Sequence, residues 1–194
     1  MTLTFTELTG FGLRLTAWPE SAVPQLVAGM NDPEFLRWDG MNGSSTDEAA
    51  ALRIIRSRAE GWRSGGFAQF CITDRATGEI LGNVGLHQIE HQRRVAGIGY
   101  WLLAGARGRG VATRAVELCT RWGFEEVGLH RLELGHAVGN EPSCKVARRA
   151  GYAVEGVARG ALPAPESGVG AGTGGRVDMH AHARLATDPY PDTA

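Results

Sequence analysis

Residues 98–114 read Ile-Gly-Tyr-Trp-Leu-Leu-Ala-Gly-Ala-Arg-Gly-Arg-Gly-Val-Ala-Thr-Arg, an apolar run that passes through a glycine-rich turn into a helical pattern. Glycine lets a backbone approach a ligand closely and take dihedrals that other residues resist. The first turn of a helix adds amides without intrahelical partners and the positive end of the macrodipole. Together they form a site for a phosphate or pyrophosphate, and Arg107, Arg109 and Arg114 add positive charge. Gly108 and Gly110 could also merely allow a tight strand–helix turn, but an arginine-rich helix start needs an anionic partner. The chain has no Gly-Lys pair, which removes a P-loop. Thr113 stands where the third glycine of a dinucleotide Gly-x-Gly-x-x-Gly fingerprint belongs.

The elements that must position this turn follow from periodicity and punctuation. Leu13 to Trp18 alternates and reads as a first strand. Helices follow from about Pro19 to Met30, through Phe35, Leu36 and Trp38, and from a Thr46 cap to Gly65-Gly66. Phe67–Thr73 and Glu79–Ile89 read as a hairpin around Arg75-Ala76-Thr77-Gly78. A strand over 94–103, a helix over 109–127 and a strand over 131–138 form a right-handed crossover, so the two strands should be parallel. A helix over 141–150, a strand from Tyr152 and a closing strand over 176–185 complete the order. The fold class is α/β, with one domain whose core covers about 10–185. Residues 163–175, rich in Pro, Gly and Ala, read as a mobile loop, and 187–194 as a loose tail.

The pattern Arg/Gln-x-x-Gly-x-Gly/Ala, here Arg107 to Ala112, resembles the acyl-CoA pyrophosphate loop of the GCN5-related N-acetyltransferases. Ile98-Gly99-Tyr100-Trp101-Leu102, Trp122-Gly123-Phe124, Leu129-His130-Arg131-Leu132-Glu133, Asn140-Glu141-Pro142-Ser143 and Ala147 to Tyr152 resemble the ribosomal-protein RimJ/RimL branch. Leu13-Arg14-Leu15 and Gly78 to Leu86 fit as well, so the resemblance runs over roughly 10–160. It implies a mixed, mostly antiparallel sheet flanked by helices, with a central parallel strand pair splayed apart where the acyl-pantetheine arm lies. It implies acetyl-CoA as cosubstrate and direct attack of an amine on the thioester.

By this resemblance Trp101, Leu102 and Leu103 line the pantetheine arm, and a main-chain amide near Leu103 faces the thioester oxygen. Arg107, Gly108, Arg109, Gly110, Val111, Ala112, Thr113 and Arg114 hold the pyrophosphate. Asn140 contacts the arm, although its residue type also suits a plain N-cap. Ser143 stabilises or protonates the CoA thiolate, because Ala147 stands where many relatives carry a tyrosine acid. Gly135 stands where some relatives carry a glutamate base. Glu133, acting through water, and His87 are the replacements; a lone strand histidine is otherwise structural. His136 has the opposite strand parity and ranks below them. Cys144 at a helix start could support a covalent route, which direct transfer does not need. His182 stands where relatives have a tyrosine in the final strand.

With 194 residues and a net charge of −1, nothing in the composition favours nucleic acid or an anionic membrane. No apolar run is long enough for a bilayer, and residues 1–12 lack a signal-peptide pattern. Cys71, Cys119 and Cys144 are too few and too scattered for a disulfide framework, and no metal site is expected. A cytoplasmic enzyme, monomeric or homodimeric, follows. The acceptor is an amine: the α-amino group of a protein or peptide, or a small molecule such as an antibiotic, amino acid or biosynthetic intermediate. The reading from another class is a non-catalytic acyl-CoA sensor.

Overall fold

Among the described residues of the computed structural model, which are 2–38, 45–164 and 175–191, eight strands share one sheet in the order β1-β2-β3-β4-β5-β6-β8-β7. The strands are β1 (Leu8–Gly10), β2 (Leu13–Thr16), β3 (Ala68–Asp74), β4 (Ile80–Glu90), β5 (Val95–Leu102), β6 (Arg131–Ala137), β7 (Ala153–Pro163) and β8 (Arg176–Leu185). The helices are α1 (Val23–Met30), α2 (Pro33–Trp38), α3 (Glu48–Ser64), α4 (Val111–Glu125) and α5 (Glu141–Arg149). The sheet is mixed and mostly antiparallel; β5 and β6 form its parallel pair. The expected first strand has a short antiparallel partner, β1, which pairs Leu8 with Leu15.

Burial follows strand parity. Ala96, Ile98, Leu132 and Leu134 face α4, whose Val111, Ala115, Val116, Cys119 and Trp122 recur at helical spacing and join one core. Alternate residues of β5 face the other way, and Trp101 packs with Trp18, Leu26 and Ile55 under α1 and α3. Gly123 permits the contact with α4: a Cβ there would lie 3.3 Å from Leu86 Cδ1. Across that layer Arg184 of β8 and Glu117 of α4 form an ion pair with both side chains fully buried. Arg184 Nη1 also donates to Ala150 O at 2.9 Å.

The crossover through α4 makes β5 and β6 parallel, as their order requires. Their pairing is short: Val95 with Arg131, Ala96 with Leu132 and Gly97 with Glu133. Beyond that point β5 stays with β4 as far as Leu102 and Gly82, while β6 follows β8 as far as Ala137 and Met179. A wedge therefore opens in the middle of the sheet, pointing at the start of α4.

Several local expectations shift. Asp47, not Thr46, caps α3 by accepting from Ala50 N–H at 2.6 Å. Thr46 instead exchanges two 2.8 Å bonds between its backbone and the Asn31 side chain. β7 runs on to Pro163, and Ala164 N–H donates to Gly175 O at 2.9 Å, so a paired hairpin flanks the predicted mobile loop. The loop itself, 165–174, lies outside the described residues. The tail expected to be loose is tied down as far as Tyr190, whose hydroxyl donates to Glu125 Oε1 at 2.7 Å and whose ring lies under Arg121.

Candidate active site

The loop between β5 and α4 is built as its glycines require. Gly108 and Gly110 have φ values of +74° and +71°, in the left-handed region, and a Cβ on either would meet nothing within 4 Å. Space above the backbone is thus open. Gly110 is the N-cap of α4 and offers no side-chain cap. The first intrahelical bond runs from Arg114 N–H to Gly110 O at 3.2 Å, so the amides of Val111, Ala112 and Thr113 have no partner within the helix. This is an anion cradle.

The three arginines do more than add charge. Arg107 Nη2 donates to Asp32 Oδ1 at 2.5 Å and to Leu102 O at 3.0 Å, tying the loop to the α1–α2 corner and to the end of β5. Burial raises the Asp32 pKa, but Arg107 and the Phe35 and Glu34 amides outweigh it and hold the carboxyl below its ordinary value. Arg114 braces the turn through Phe11 O at 2.7 Å and Arg109 O at 3.3 Å. Arg109 remains the most open of the three, 3.8 Å from Glu79.

Inside the wedge the amides near Leu103 face opposite edges of the strand. Leu103 N–H is spent on Leu81 O at 2.9 Å. Successive amides of a strand point to opposite edges, so Tyr100 and Leu102, not Leu103, direct their N–H groups towards β6. The Trp101 ring is 9% exposed and its centroid lies 5.7 Å from that of Trp18; only its main chain can line the wedge. Gly29 makes room for this ring, since a Cβ there would fall 2.1 Å from Trp101 Cζ3.

Asn140 is the N-cap of α5 and accepts from Ser143 N–H at 3.1 Å. Ser143 Oγ in turn accepts from Tyr100 O–H at 3.2 Å, a bond that bridges β5 and α5. Tyr100 is a functional candidate that sequence reasoning missed, since the bond joins residues 43 apart. Burial pushes its phenol pKa up, and the Ser143 contact only partly offsets this. Tyr100 therefore stays a proton donor, and the Ser143 hydroxyl proton is free to point elsewhere.

On the opposite sheet face, His87 and Glu133 flank Gly97: His87 pairs with it from β4 and Glu133 from β6. A Cβ at Gly97 would lie 2.1 Å from His87 Cε1, so the glycine makes the space the imidazole occupies. The Cβ position at Gly135 is likewise taken, by Met179 Sδ at 2.5 Å. Gln88, at φ +50°, starts a bulge just after His87, a device that re-aims side chains near active sites. His87 is open at its edge yet enclosed by neighbours; burial lowers its pKa and Gln88 partly restores it. Glu133 is exposed, and its Oε1 accepts from Arg131 Nε at 2.8 Å. Phe35 meets the Trp101 ring edge, and Trp38 approaches Gly139, so α2 reaches along this side of the cleft.

Behind the wedge lies a group of side chains of metal-ligating type. His136, Cys144, His180 and His182 bring one ligand atom each within 4.8 Å of one another. Spacing of cysteines alone could not reveal it; the readable signal was the pair His180-x-His182 on one strand. Strand parity sets His136, a member of this group, on the opposite sheet face from Glu133.

Residues 12–153 match the acetyltransferase (GNAT) domain family, and the chain belongs to it. YdaF of Bacillus subtilis, provisionally named a ribosomal N-acetyltransferase, is 39% identical over 85 residues, covering 44% of this chain and 46% of YdaF. The chain spans about half the length of YdaF and of a second Bacillus subtilis relative, YjcK. Among solved structures, RimJ of Mycobacterium smegmatis with CoA-disulfide has a TM-score of 0.80 at 24% identity, covering 93% of this chain and 86% of RimJ. RimL, described as the ribosomal L7/L12 alpha-N-protein acetyltransferase and solved with coenzyme A, has a TM-score of 0.78 at 23% identity, covering 93% and 98%. The mixed sheet and its splayed pair are the fold of these proteins.

Proposed function

We propose that the chain is an acetyl-CoA-dependent N-acetyltransferase that modifies the α-amino group of a protein or peptide by direct transfer. One observation carries this reading. β5 and β6 part beyond Gly97 and Glu133, the wedge points at an amide-lined, arginine-braced loop, and Tyr100 and Ser143 bridge β5 and α5 beside it.

Acetyl-CoA, when bound, supplies an activated acetyl group on a thiolate leaving group. The open backbone at Gly108 and Gly110 and the amides of Val111 to Thr113 suit its pyrophosphate. The β6-directed amides of Tyr100 and Leu102 suit a pantetheine arm laid in as an extra strand, with Asn140 at its far side. Ser143, hydrogen-bonded by Tyr100, is the proton donor to the departing sulfur. His87, kept neutral by its depressed pKa, is the proton acceptor for the amine, directly or through water. Glu133 is secondary, because Arg131 occupies one of its oxygens. The names of YdaF, a ribosomal N-acetyltransferase, and RimL, an alpha-N-protein acetyltransferase, point to a protein amine as acceptor.

No described helix is long and apolar enough to cross a membrane. Cys71, Cys119 and Cys144 are free and buried, which suits a reducing compartment, and we place the reaction in the cytoplasm. CoA-thiol release with peptides of varied N-terminus, set against amino acids, polyamines and aminoglycosides, tests the reading. Peptides should give the highest kcat/KM. Turnover with small amines alone would transfer the function to the small-molecule reading. CoA binding without turnover on any amine would leave a sensor module.

A further inference from the structure

We propose that His136, Cys144, His180 and His182 bind one Zn2+ ion in a closed, tetrahedral three-nitrogen, one-sulfur site behind the wedge. His136 of β6 and His180 of β8 are direct cross-strand partners, and His182 lies two residues further along the same face. The first turn of α5 lowers Cys144 onto them. His136, Cys144 and His182 are buried and His180 is half-buried. The His136 and His182 Nε2 atoms are 3.1 Å apart, and Cys144 Sγ is 4.0 Å from His182 Nε2.

The tautomers carry the argument. His136 Nδ1 lies 3.0 Å from Ala137 O, and His182 Nδ1 lies 3.5 Å from Tyr152 O. A carbonyl oxygen only accepts, so the 3.0 Å contact sets the proton on His136 Nδ1, and the longer contact of His182 favours the same tautomer. With both neutral rings in that form, the two Nε2 lone pairs face each other at 3.1 Å. Two facing lone pairs repel unless a proton or a cation lies between them. A shared proton would create a buried imidazolium in a cluster with no carboxylate among its members. A metal cation resolves the repulsion without an imidazolium. Imidazoles that ligate metals characteristically donate their other N–H to a carbonyl, as both rings do here.

The donor set selects the metal class. One thiolate and three imidazoles suit Zn2+, whereas Mg2+ and Ca2+ require oxygen ligands. With Zn–N near 2.0–2.1 Å and Zn–S near 2.3 Å, tetrahedral ligands lie about 3.3 Å (N to N) and about 3.6 Å (N to S) apart. The observed 3.1 and 4.0 Å bracket these values, and no pair must close by more than about 1.5 Å from the 4.8 Å limit. On binding, the Cys144 thiol loses its proton to solvent as the sulfur–zinc bond forms, and the neutral histidines lose none. Four protein ligands leave no open position, so the ion is structural. It would pin the first turn of α5, and with it Asn140 and Ser143, to the β6–β8 pair.

The test is titration of the chelator-treated chain with ZnCl2 against a chromophoric competitor, with Co2+ as the spectroscopic probe. The expected result is one metal per chain, release of one proton, and intense tetrahedral Co2+ bands with a thiolate charge-transfer band. Cys144→Ser should abolish the charge-transfer band. His180→Gln, at the least buried ligand, should weaken Zn2+ binding by about 100-fold or more, beyond what loss of an outer partner costs. His130→Gln, an exposed histidine outside the cluster, should bind as the parent does. Far-ultraviolet circular dichroism checks that each variant is folded. Binding at less than one metal per chain, weak octahedral Co2+ spectra, or affinity unchanged in His180→Gln would overturn the site. None of these readouts depends on acetyl transfer.

Discussion

In the proposed reaction the value of the Tyr100–Ser143 hydrogen bond lies in the transition state, because charge on the departing sulfur develops only along the reaction. Ser143→Ala should therefore lower kcat by about 10–100-fold with a smaller change in KM for acetyl-CoA. Tyr100→Phe should act in the same direction, and the double variant should be no slower than the slower single one, since the pair works as a unit. Equal turnover in Ser143→Ala and the parent would move the donor elsewhere. His87 supplies a pH signature. Its folded pKa lies below 6.5, so kcat/KM should rise with pH through that lower value, apart from the limb of the acceptor amine near 7.7–8.0. The stability sign agrees: protons bind the unfolded chain first, so the contribution of His87 is complete above 6.5 and is lost as pH falls through the folded value. His87→Gln should remove the acidic limb of kcat/KM; a limb that persists would assign the base to another group.

At the scale of elements, what was legible was local. The Arg107–Ala112 loop could be read because glycine conformation and helix-end amides are decided within a few residues. The Asn140 cap could be read for the same reason, and strand parity separated Glu133 from His136. What escaped depends on contacts distant in sequence. Leu103 loses its amide to Leu81 across the β4–β5 pair, the Trp101 ring is drawn into a gap left by Gly29, and Tyr100 finds Ser143 from another element. β1 escaped because three residues carry too little alternation to register. The buried Glu117–Arg184 pair escaped too, and it locks β8 onto α4. Removing one partner of such a pair leaves an uncompensated buried charge. Glu117→Ala should cost about 3–5 kcal/mol in denaturant unfolding, whereas a loss below about 1 kcal/mol would mean that the pair is solvated as a surface bridge is.

For the whole molecule, the sheet acts as two halves joined at the short β5–β6 pairing. One half carries His87 and the cofactor loop; the other carries Glu133 and, through α5, Ser143. On the proposed reading, the acceptor amine meets His87 on the sheet face that carries Trp101, and Ser143 acts from the α5 face. Arg107 couples these parts by gripping Asp32 at the α1–α2 corner while closing the loop. The loop and wedge are the proposed acyl-CoA site. Calorimetric titration of CoA into the parent and into Gly110→Val tests that most directly. A valine at φ +71° strains the turn and fills the open space above it. Tenfold or greater weakening, about 1.4 kcal/mol, is predicted in a variant that remains folded. An unchanged dissociation constant in folded Gly110→Val would contradict the assignment.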